Sequence, residues 1–282
     1  GPAFEGAQIS SGQRAAPGAI ERVRVDRETL EPRFRVIGSE LWSNEPGFAE
    51  ATTEIGITGI CGSAIVEVIA ELFLAGVITP DGIVDGSFAA RTPRVVAEGR
   101  TFSYVLREGT ADGPARIAVT QNDVRAIQLA KAALYAGVRL LMDHAGIDAV
   151  DHIRLAGAFG SQIDPFHAMV LGLIPDAPLE QVKAAGNAAG TGALIALLSA
   201  AARHEIEDVV RRVEKIETAV EARFQEHFVE AMAFPHRTAP STHLSTVVQI
   251  PQRNASSTGA AGGGRDRPNR RRAVVGTAKE ER

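Results

Sequence analysis

The segment Leu155-Ala156-Gly157-Ala158-Phe159-Gly160, followed by Ser161-Gln162-Ile163-Asp164-Pro165, decides the fold class of this chain. The apolar run that begins at Ile153 stops at a turn of small residues, after which Asp164 suits a helix N-cap and Pro165 the first helical position. Glycine lets a backbone approach a flat or anionic group where a β-carbon would collide. A strand, a glycine turn and a helix N-terminus together are typical of a nucleotide site. The alternative is a tight connection between strand and helix with no ligand.

Two further turns of small residues precede predicted helices. Residues 56–62 lead into a helix over 63–76, whose apolar residues follow helical spacing, and residues 186–192 lead into an apolar helix over 193–202. Because predicted strands alternate with these helices, the chain is expected to form an α/β layered domain. If the three turns lie at one edge of a sheet, their helix N-termini converge on one crevice.

The remaining elements are predicted from the same signals of periodicity and turn chemistry. Thr120-Gln121-Asn122-Asp123 resembles a capping box, with Asp in place of the usual Glu, and starts a long helix that ends near His144. A hairpin is expected to join strands at 20–25 and 33–37. Further strands are predicted at 95–96, 102–106, 117–119, 151–156 and 214–219, and further helices at 165–171, 204–213 and 220–233.

Composition and cysteine content limit the class of protein. The chain has 282 residues, of which 45% are hydrophobic but only 5% aromatic, so aliphatic side chains must fill one large core or two small ones. The single cysteine, Cys61, excludes a disulfide framework and any iron–sulfur centre held by cysteines of this chain alone. We expect Cys61 to be a small buried side chain, and the setting to be reducing and cytoplasmic.

No membrane span and no metal site are predicted. The sequence has no apolar stretch of the length that a bilayer requires. Its seven histidines lack the i, i+4 spacing of a zinc site. Neither a Ser–His–Asp set nor a pair of catalytic carboxylates is identified, and no catalytic residue is assigned. The opening Gly1-Pro2-Ala3-Phe4-Glu5-Gly6 is typical of the middle of a domain, so the chain is expected to be a fragment of a longer protein.

Charge is divided unevenly along the chain. Residues 236–282 contain nine Arg or Lys and three Asp or Glu, a net charge of +6, whereas the whole chain carries −4 and residues 1–235 therefore carry −10. Because the segment 256–264 is rich in Ser, Gly and Ala, residues 236–282 are predicted to form a disordered basic tail after a domain at 1–235. Such a tail is suited to nucleic acid or acidic surfaces, and the alternative is a solubilising extension.

Six blocks of the sequence, taken in order, resemble the C-terminal domain of the reductive activators of corrinoid proteins, which belong to the acetate kinase, sugar kinase, Hsp70 and actin superfamily. The blocks are G-P-A-F-E-G-A at 1–7, R-A-A-P-G-A-I at 14–20, G-I-C-G-S at 59–63, L-A-G-A-F-G at 155–160, G-N-A-A-G at 186–190 and A-M-A-F-P at 231–235. The resemblance covers about residues 1–235 and implies a partial ATPase fold, mainly the second lobe. The sequence has Ala64 where the family often has a second glycine.

The resemblance also implies cofactors and a partner. Full-length members of this family carry an N-terminal plant-type [2Fe–2S] ferredoxin domain, a linker and a two-lobed ATPase-like domain. They use ATP hydrolysis to drive the reduction of cob(II)alamin to cob(I)alamin on a corrinoid methyltransferase partner. ATP with Mg²⁺ is therefore the expected cofactor of the intact protein, and the [2Fe–2S] cluster is expected only in the missing N-terminal domain.

Ten residues are candidate nucleotide-binding residues on this resemblance. Gly157, Ala158, Phe159 and Gly160 would contact the adenosine, Gly186, Asn187 and Gly190 would line the same pocket from the next turn, and Gly59, Gly62 and Ser63 would offer a helix N-terminus to an anion. The alternative is that these glycine turns only pack helices on strands. For Asp164 we expect a capping role. For Glu5 and Glu67 we expect solvated or capping roles in preference to a place beside magnesium and phosphate.

Two other functions stay open at this point. A small-molecule kinase of the same superfamily would need an acidic catalytic residue and a substrate pocket, chiefly from the missing lobe. A non-enzymatic lobe would use its basic tail to bind nucleic acid, with an affinity that falls steeply with salt. Formation of a homodimer is a further open possibility.

Overall fold

The first sheet is built around one strand, β1 (Ala19–Val25), in this computed structural model, which describes residues 3–4, 6–110, 114–218 and 220–252. Strand β1 pairs antiparallel with β2 (Pro32–Val36) and parallel with β3 (Gly59–Ile60), so the order is β2-β1-β3. The predicted hairpin between the first two strands is therefore confirmed. The register of β1 against β2 shifts between Ile20 and Arg22, as at a β-bulge. The short helix α1 (Phe48–Thr52) lies between β2 and β3 in the chain.

Helix α2 (Gly62–Leu74) follows β3 directly and packs along β1, and every residue of this helix is buried. Strand β3 pairs with only the first two residues of β1, so β1 extends beyond its neighbour. The carboxylates of Glu67 and Glu71 accept the main-chain N–H groups of Val23 and Val25 at 2.8 and 3.4 Å. Two glutamate side chains of α2 thus accept the hydrogen bonds that a longer β3 would otherwise accept, since buried main-chain donors need partners.

The second sheet is an antiparallel meander of β4 (Val95–Glu98), β5 (Thr101–Arg107) and β6 (Ile117–Val119). The three strands were predicted, whereas their pairing was not. Helix α3 (Gln121–Ala145) follows it. The Thr120 hydroxyl accepts the N–H of Asp123 at 3.1 Å, and the Asp123 carboxylate accepts the N–H of Thr120 at 2.8 Å, which confirms the capping box.

The third sheet pairs two parallel strands, each followed by helices. The elements are β7 (Ile153–Ala156), α4 (Gly157–Gln162), α5 (Pro165–Leu171), β8 (Val182–Gly186), α6 (Ala188–Leu198) and α7 (Ala200–Arg212). The predicted turn at 157–164 is wrong for residues 157–162, which form a helix immediately after the strand. Gly157 adopts a left-handed φ of 87°, and this conformation lets the backbone change direction within one residue.

Two predictions in the following segment are also wrong. Residues 213–217 belong to neither helix nor strand, whereas an edge strand was expected at 214–219; residue 219 lies outside the described part. A strand needs a neighbour for its main-chain groups, and no pairing among the described strands involves this segment. The expected helix over 220–233 is shorter and covers α8 (Phe224–Glu230).

The predicted boundary of a disordered tail at residue 236 is corrected by the structure. Residues up to 252 are described, and they include α9 (Leu244–Val247), whose Leu244 is only 1% exposed. The N–H groups of His243 and Leu244 donate to the Asp176 carboxylate at 2.7 and 2.9 Å. Burial of one apolar side chain and these two charged hydrogen bonds attach the segment to the domain. The rest of the predicted tail, 253–282, lies outside the described residues.

Helix α3 also holds the chain just before this segment. The buried Lys131 ammonium donates to the carbonyl oxygens of Ala233 and Pro235, and the Gln128 amide donates to the Met232 carbonyl at 2.8 Å. Burial lowers the pKa of Lys131 well below its usual value. Among the helices described, none has both the length and the apolar character that a membrane span requires.

Candidate functional site

A cavity of about 590 Å³ opens between the N-terminus of α2 and helix α4. We call it the α2–α4 cavity. Gly62 and Ser63 line one wall, and Ala158 and Phe159 line the opposite wall. The structure thus brings together two of the three predicted glycine turns. The other lining residues are Phe4, Arg14, Ala15, Glu21, Ile37, Cys61 and Gln162.

A second cavity, of about 380 Å³, lies along β7 and α4, and we call it the β7 cavity. It is lined by all four residues of the predicted adenosine segment, Gly157, Ala158, Phe159 and Gly160. Phe4, Ala158 and Phe159 line both cavities. The rings of Phe4 and Phe159 lie 5.8 Å apart between centroids, so an aromatic pair borders both spaces.

The N-terminus of α2 is suited to an anion. Among the residues that the structure describes, no side chain caps its first turn, and that turn contains no acidic residue. The free N–H groups and the helix dipole therefore present positive partial charge toward the α2–α4 cavity. Arg14 adds a full positive charge at the cavity: it is exposed and forms no hydrogen bond or ion pair within the described part of the chain.

Close packing explains why residue 62 is a glycine. A β-carbon at this position would lie 1.7 Å from the main-chain oxygen of Phe4 and 3.0 Å from the ring of Phe159. The absence of a side chain therefore allows both walls and the N-terminal segment to meet at α2. Cys61, at the N-cap, is buried as expected, and its Sγ lies 3.3 Å from the Ser63 hydroxyl.

The other candidate residues lie elsewhere. Gly59 is covered by the segment 11–13, where a β-carbon would lie 2.7 Å from the main-chain oxygen of Ser11, and it lines neither cavity. Gly186, Asn187 and Gly190 also line neither cavity. The Asn187 side chain instead accepts the N–H of Gly190 at 2.9 Å and caps α6. Their binding of nucleotide stays a prediction.

In α2, whose N-terminus borders the α2–α4 cavity, Glu67 is buried in a set of charged residues. Its side chain is 0% exposed, and its carboxylate accepts hydrogen bonds from Arg22 at 2.9 Å and from Arg24 at 2.6 Å. The expectation that Glu67 is solvated or caps a helix is therefore wrong. A buried carboxylate without such partners would be strongly destabilising. Glu5 lies outside the described residues.

The same set continues into α5. His167 Nε2 lies 2.9 Å from Glu71 Oε1, and His167 Nδ1 lies 3.2 Å from Asp164 Oδ1. Asp164 accepts the N–H of His167 at 3.2 Å and is the N-cap of α5, which confirms the expected capping role. Arg24 Nη2 lies 3.7 Å from Asp164 Oδ2. We call Arg22, Arg24, Glu67, Glu71, Asp164 and His167 the buried charge network.

The charges in this network shift two pKa values in opposite directions. Burial acts against the charged form of His167, but its contacts with Asp164 and Glu71 outweigh burial and raise the pKa of His167 above 6.5. Burial likewise acts to raise the pKa of Asp164, but hydrogen bonds and the charge of His167 lower it to about 2. With His167 protonated, three cations face three carboxylates, and the network carries no net charge.

Potential metal ligands occur in the network, although none was predicted. Glu67, Asp164 and His167 each place one ligand atom within 4.8 Å of the others. Arg22 and Arg24 already balance the charge of Glu67, however, so a divalent cation would compete with two guanidinium groups. Glu67 is far from Asp164 and His167 in the sequence, so their spacing did not indicate a common site. The available signal was Glu67 and Glu71, charged residues four apart in an otherwise apolar helix.

Comparison with known proteins gives consistent matches. The family model for the C-terminal domain of RACo, the ASKHA domain, matches residues 1–245. The corrinoid activation enzyme RamQ of Eubacterium limosum is 35% identical over 238 residues, which are 82% of this chain and 37% of that protein. The solved structure of a reductive activator for a corrinoid, iron–sulfur protein is 31% identical, with a TM-score of 0.69 over 84% of this chain and 35% of that one. The chain therefore spans about a third of the length of these relatives.

Replacing Gly62 by alanine should destabilise the domain. The added β-carbon meets the main chain of Phe4, which has no free space to move into, so we expect a loss of about 1–3 kcal/mol in the free energy of unfolding. Gly137 is the matched control, since it is also helical but has nothing within 4 Å of an added β-carbon. Gly137→Ala should stabilise by up to about 1 kcal/mol. Urea unfolding of both variants measures the difference, and equal effects would contradict this account of Gly62.

The contribution of His167 to stability should depend on pH. Because its pKa is raised in the folded state, the stabilisation is fully present below pH 6.5 and is lost as the pH rises through the folded-state pKa. The difference in unfolding free energy between the wild type and His167→Gln should therefore shrink above pH 6.5. Asn122→Gln, at an exposed position of α3, removes no titratable group and should show a difference that does not change with pH. Urea titrations from pH 5.5 to 9 test this, and a difference that grows with pH would contradict it.

Proposed function

The chain belongs to the family of C-terminal ASKHA domains represented by RACo, and we propose that it forms part of the ATP site of a longer protein that reductively activates corrinoid proteins. Support comes from the α2–α4 cavity, where the N-terminus of α2 and Arg14, which have no side-chain cap and no ion pair among the described residues, face the aromatic wall of Phe159. An anion and a flat ring are the two chemical parts that such walls accept.

In this proposal each part of ATP has a position. The phosphates bind the N-terminus of α2 at Gly62 and Ser63 and pair with Arg14. The adenosine lies against Ala158 and Phe159, with Gly157 and Gly160 close to the β7 cavity. Mg²⁺ requires oxygen ligands, and Glu21, the carboxylate among the residues that line the α2–α4 cavity, pairs with Arg35 at 3.1 Å, so the ion would have to compete with that guanidinium group. Binding by Gly186, Asn187 and Gly190 would require a conformation that extends the site toward α6.

The iron–sulfur part of the proposal lies outside this sequence. A plant-type [2Fe–2S] cluster needs four cysteine thiolates, and the chain has one cysteine, which is buried. These residues do not fit the cluster. We therefore assign it to the polypeptide that the relatives have in addition to the matched third. ATP hydrolysis would supply the free energy for electron transfer to the cobalt of a corrinoid methyltransferase partner.

We keep three further assignments as proposals. A cytoplasmic location agrees with a chain that has one cysteine. A homodimer stays a possibility to be measured by light scattering. The role of the basic tail in nucleic-acid binding is limited to residues 253–282, because residues 236–252 include the helix α9 and its buried Leu244.

Nucleotide binding by the 282-residue chain should depend on Arg14 and Phe159. Arg14→Gln removes the charge that faces the phosphates and should weaken ATP binding about tenfold, since charge-assisted hydrogen bonds contribute about 1.5–3 kcal/mol. Phe159→Ala should weaken the binding of adenosine as well as that of ATP. Arg27→Gln, at another exposed arginine, is the control and should leave the affinity unchanged. Calorimetric titration with ATP and adenosine measures these effects, and an Arg14→Gln variant with wild-type affinity would contradict the assignment of the phosphates.

The complete protein should couple ATP to reduction of cobalt. With a reductant, Mg·ATP and a cob(II)alamin-containing partner protein, it should produce the absorption spectrum of cob(I)alamin, and without ATP it should not. Phosphorylation of a small substrate in the absence of any reductant would instead favour a kinase of the same superfamily. Reduction at the same rate with and without ATP would contradict the proposed function.

A further inference from the structure

Arg22 connects the two walls of the α2–α4 cavity. Its Nη1 donates to Glu67 Oε1 of α2 at 2.9 Å and to the main-chain oxygen of Gln162 at 2.9 Å. Gln162 is the last residue of α4 and lines the cavity. One nitrogen atom of β1 therefore links the helix that begins at Gly62 to the helix that carries Phe159.

The hydrogen bond from Arg22 to Gln162 gives Arg22 a role beyond neutralising the charge of Glu67. Glu67 also accepts the N–H of Val23 at 2.8 Å and a hydrogen bond from Arg24 at 2.6 Å, so it keeps two partners without Arg22. The carbonyl of Gln162, at the end of α4, has no partner within its own helix. A guanidinium group at this end also interacts favourably with the last carbonyls of the helix. Loss of Arg22 would thus affect α4 more than α2.

Two parallel contacts hold the chain that follows α4. Arg24 Nη2 lies 3.7 Å from the carboxylate of Asp164, the N-cap of α5, and His167 of α5 lies 2.9 Å from Glu71 of α2. These contacts fix the start of α5, whereas Arg22 alone among the three reaches α4. Among the hydrogen bonds and ion pairs of the described residues, the one through Arg22 is thus the link between α2 and α4.

We propose that Arg22 is a positioning residue of the nucleotide site, because it holds α4 at the distance from α2 at which Ala158 and Phe159 face Gly62 and Ser63. The identity of the ligand rests on the proposed function. The placement of α4 does not, and it is measurable without a nucleotide.

Amide hydrogen exchange on the full chain without nucleotide tests the placement. In Arg22→Met, the amides of Ser161, Gln162 and Ile163 should exchange about tenfold faster than in the wild type, while those in the centre of α2 keep their rates. Arg94→Met is the matched control, since Arg94 is equally exposed, at 25%, and pairs with Glu31. It should not change exchange in α4. Unchanged exchange of α4 in Arg22→Met would overturn the proposal.

A double variant separates positioning from charge balance. If Arg22 only neutralised Glu67, then Glu67→Gln would restore normal exchange in α4 when combined with Arg22→Met, and this result would overturn the proposal. If Arg22 positions α4, the amides of α4 in the double variant should still exchange faster than those of the wild type. Arg22→Lys retains a donor that is able to reach Gln162 and should restore most of the protection.

Calorimetry with ATP provides a readout that a purely structural role would not change. Arg22→Met should bind ATP about tenfold more weakly than the wild type, Arg22→Lys should recover most of that loss, and Arg94→Met should bind normally. Wild-type affinity in Arg22→Met, despite faster exchange of α4, would overturn the role in the nucleotide site. A wild-type chain that binds no ATP would refute the proposed contribution of this chain to the ATP site, and the exchange data would still decide the placement of α4.

Discussion

The central constraint in this structure is that β1 is longer than its neighbour β3. Two main-chain N–H groups of β1 would be left buried without partners, at a cost of about 1–3 kcal/mol each. Glu67 and Glu71 accept them from α2, which brings two carboxylates into the interior. The arginines of β1 and His167 of α5 then compensate the carboxylates. The positions of α2, α4 and α5 relative to one another therefore follow from the difference in length between β1 and β3. The shape of the α2–α4 cavity follows from the same difference.

The cavity combines two unlike kinds of wall. The α2 wall is polar through its main chain and not through acidic or hydroxyl caps, whereas the α4 wall is apolar and aromatic. Such a division suits a ligand that is charged at one end and flat at the other.

Local signals allowed much of this structure to be predicted from the sequence. The capping box at Thr120, the Asp164–Pro165 start of α5 and the hairpin of β1 and β2 depend on neighbours within a few residues, and all three are confirmed. The buried charge network was missed because its partners are separated by up to 140 positions, between Arg24 and Asp164, and neither periodicity nor turn chemistry reports such contacts. The helix at 157–162 was mistaken for a turn because its two glycines favour turns in isolation, while tertiary contacts decided otherwise.

Because the buried charge network contains equal numbers of positive and negative charges, it also limits which substitutions this protein tolerates. A substitution that alters one charge leaves an uncompensated charge in the interior, whereas two complementary substitutions need not. The effects of substitutions within the network are therefore expected to be strongly non-additive. Replacements that alter the specificity of the cavity would be acquired more easily at Arg14, Ala15 and Phe159, which lie outside the network. Over evolutionary time, the buried charge network should therefore vary as a unit, and the lining of the cavity residue by residue.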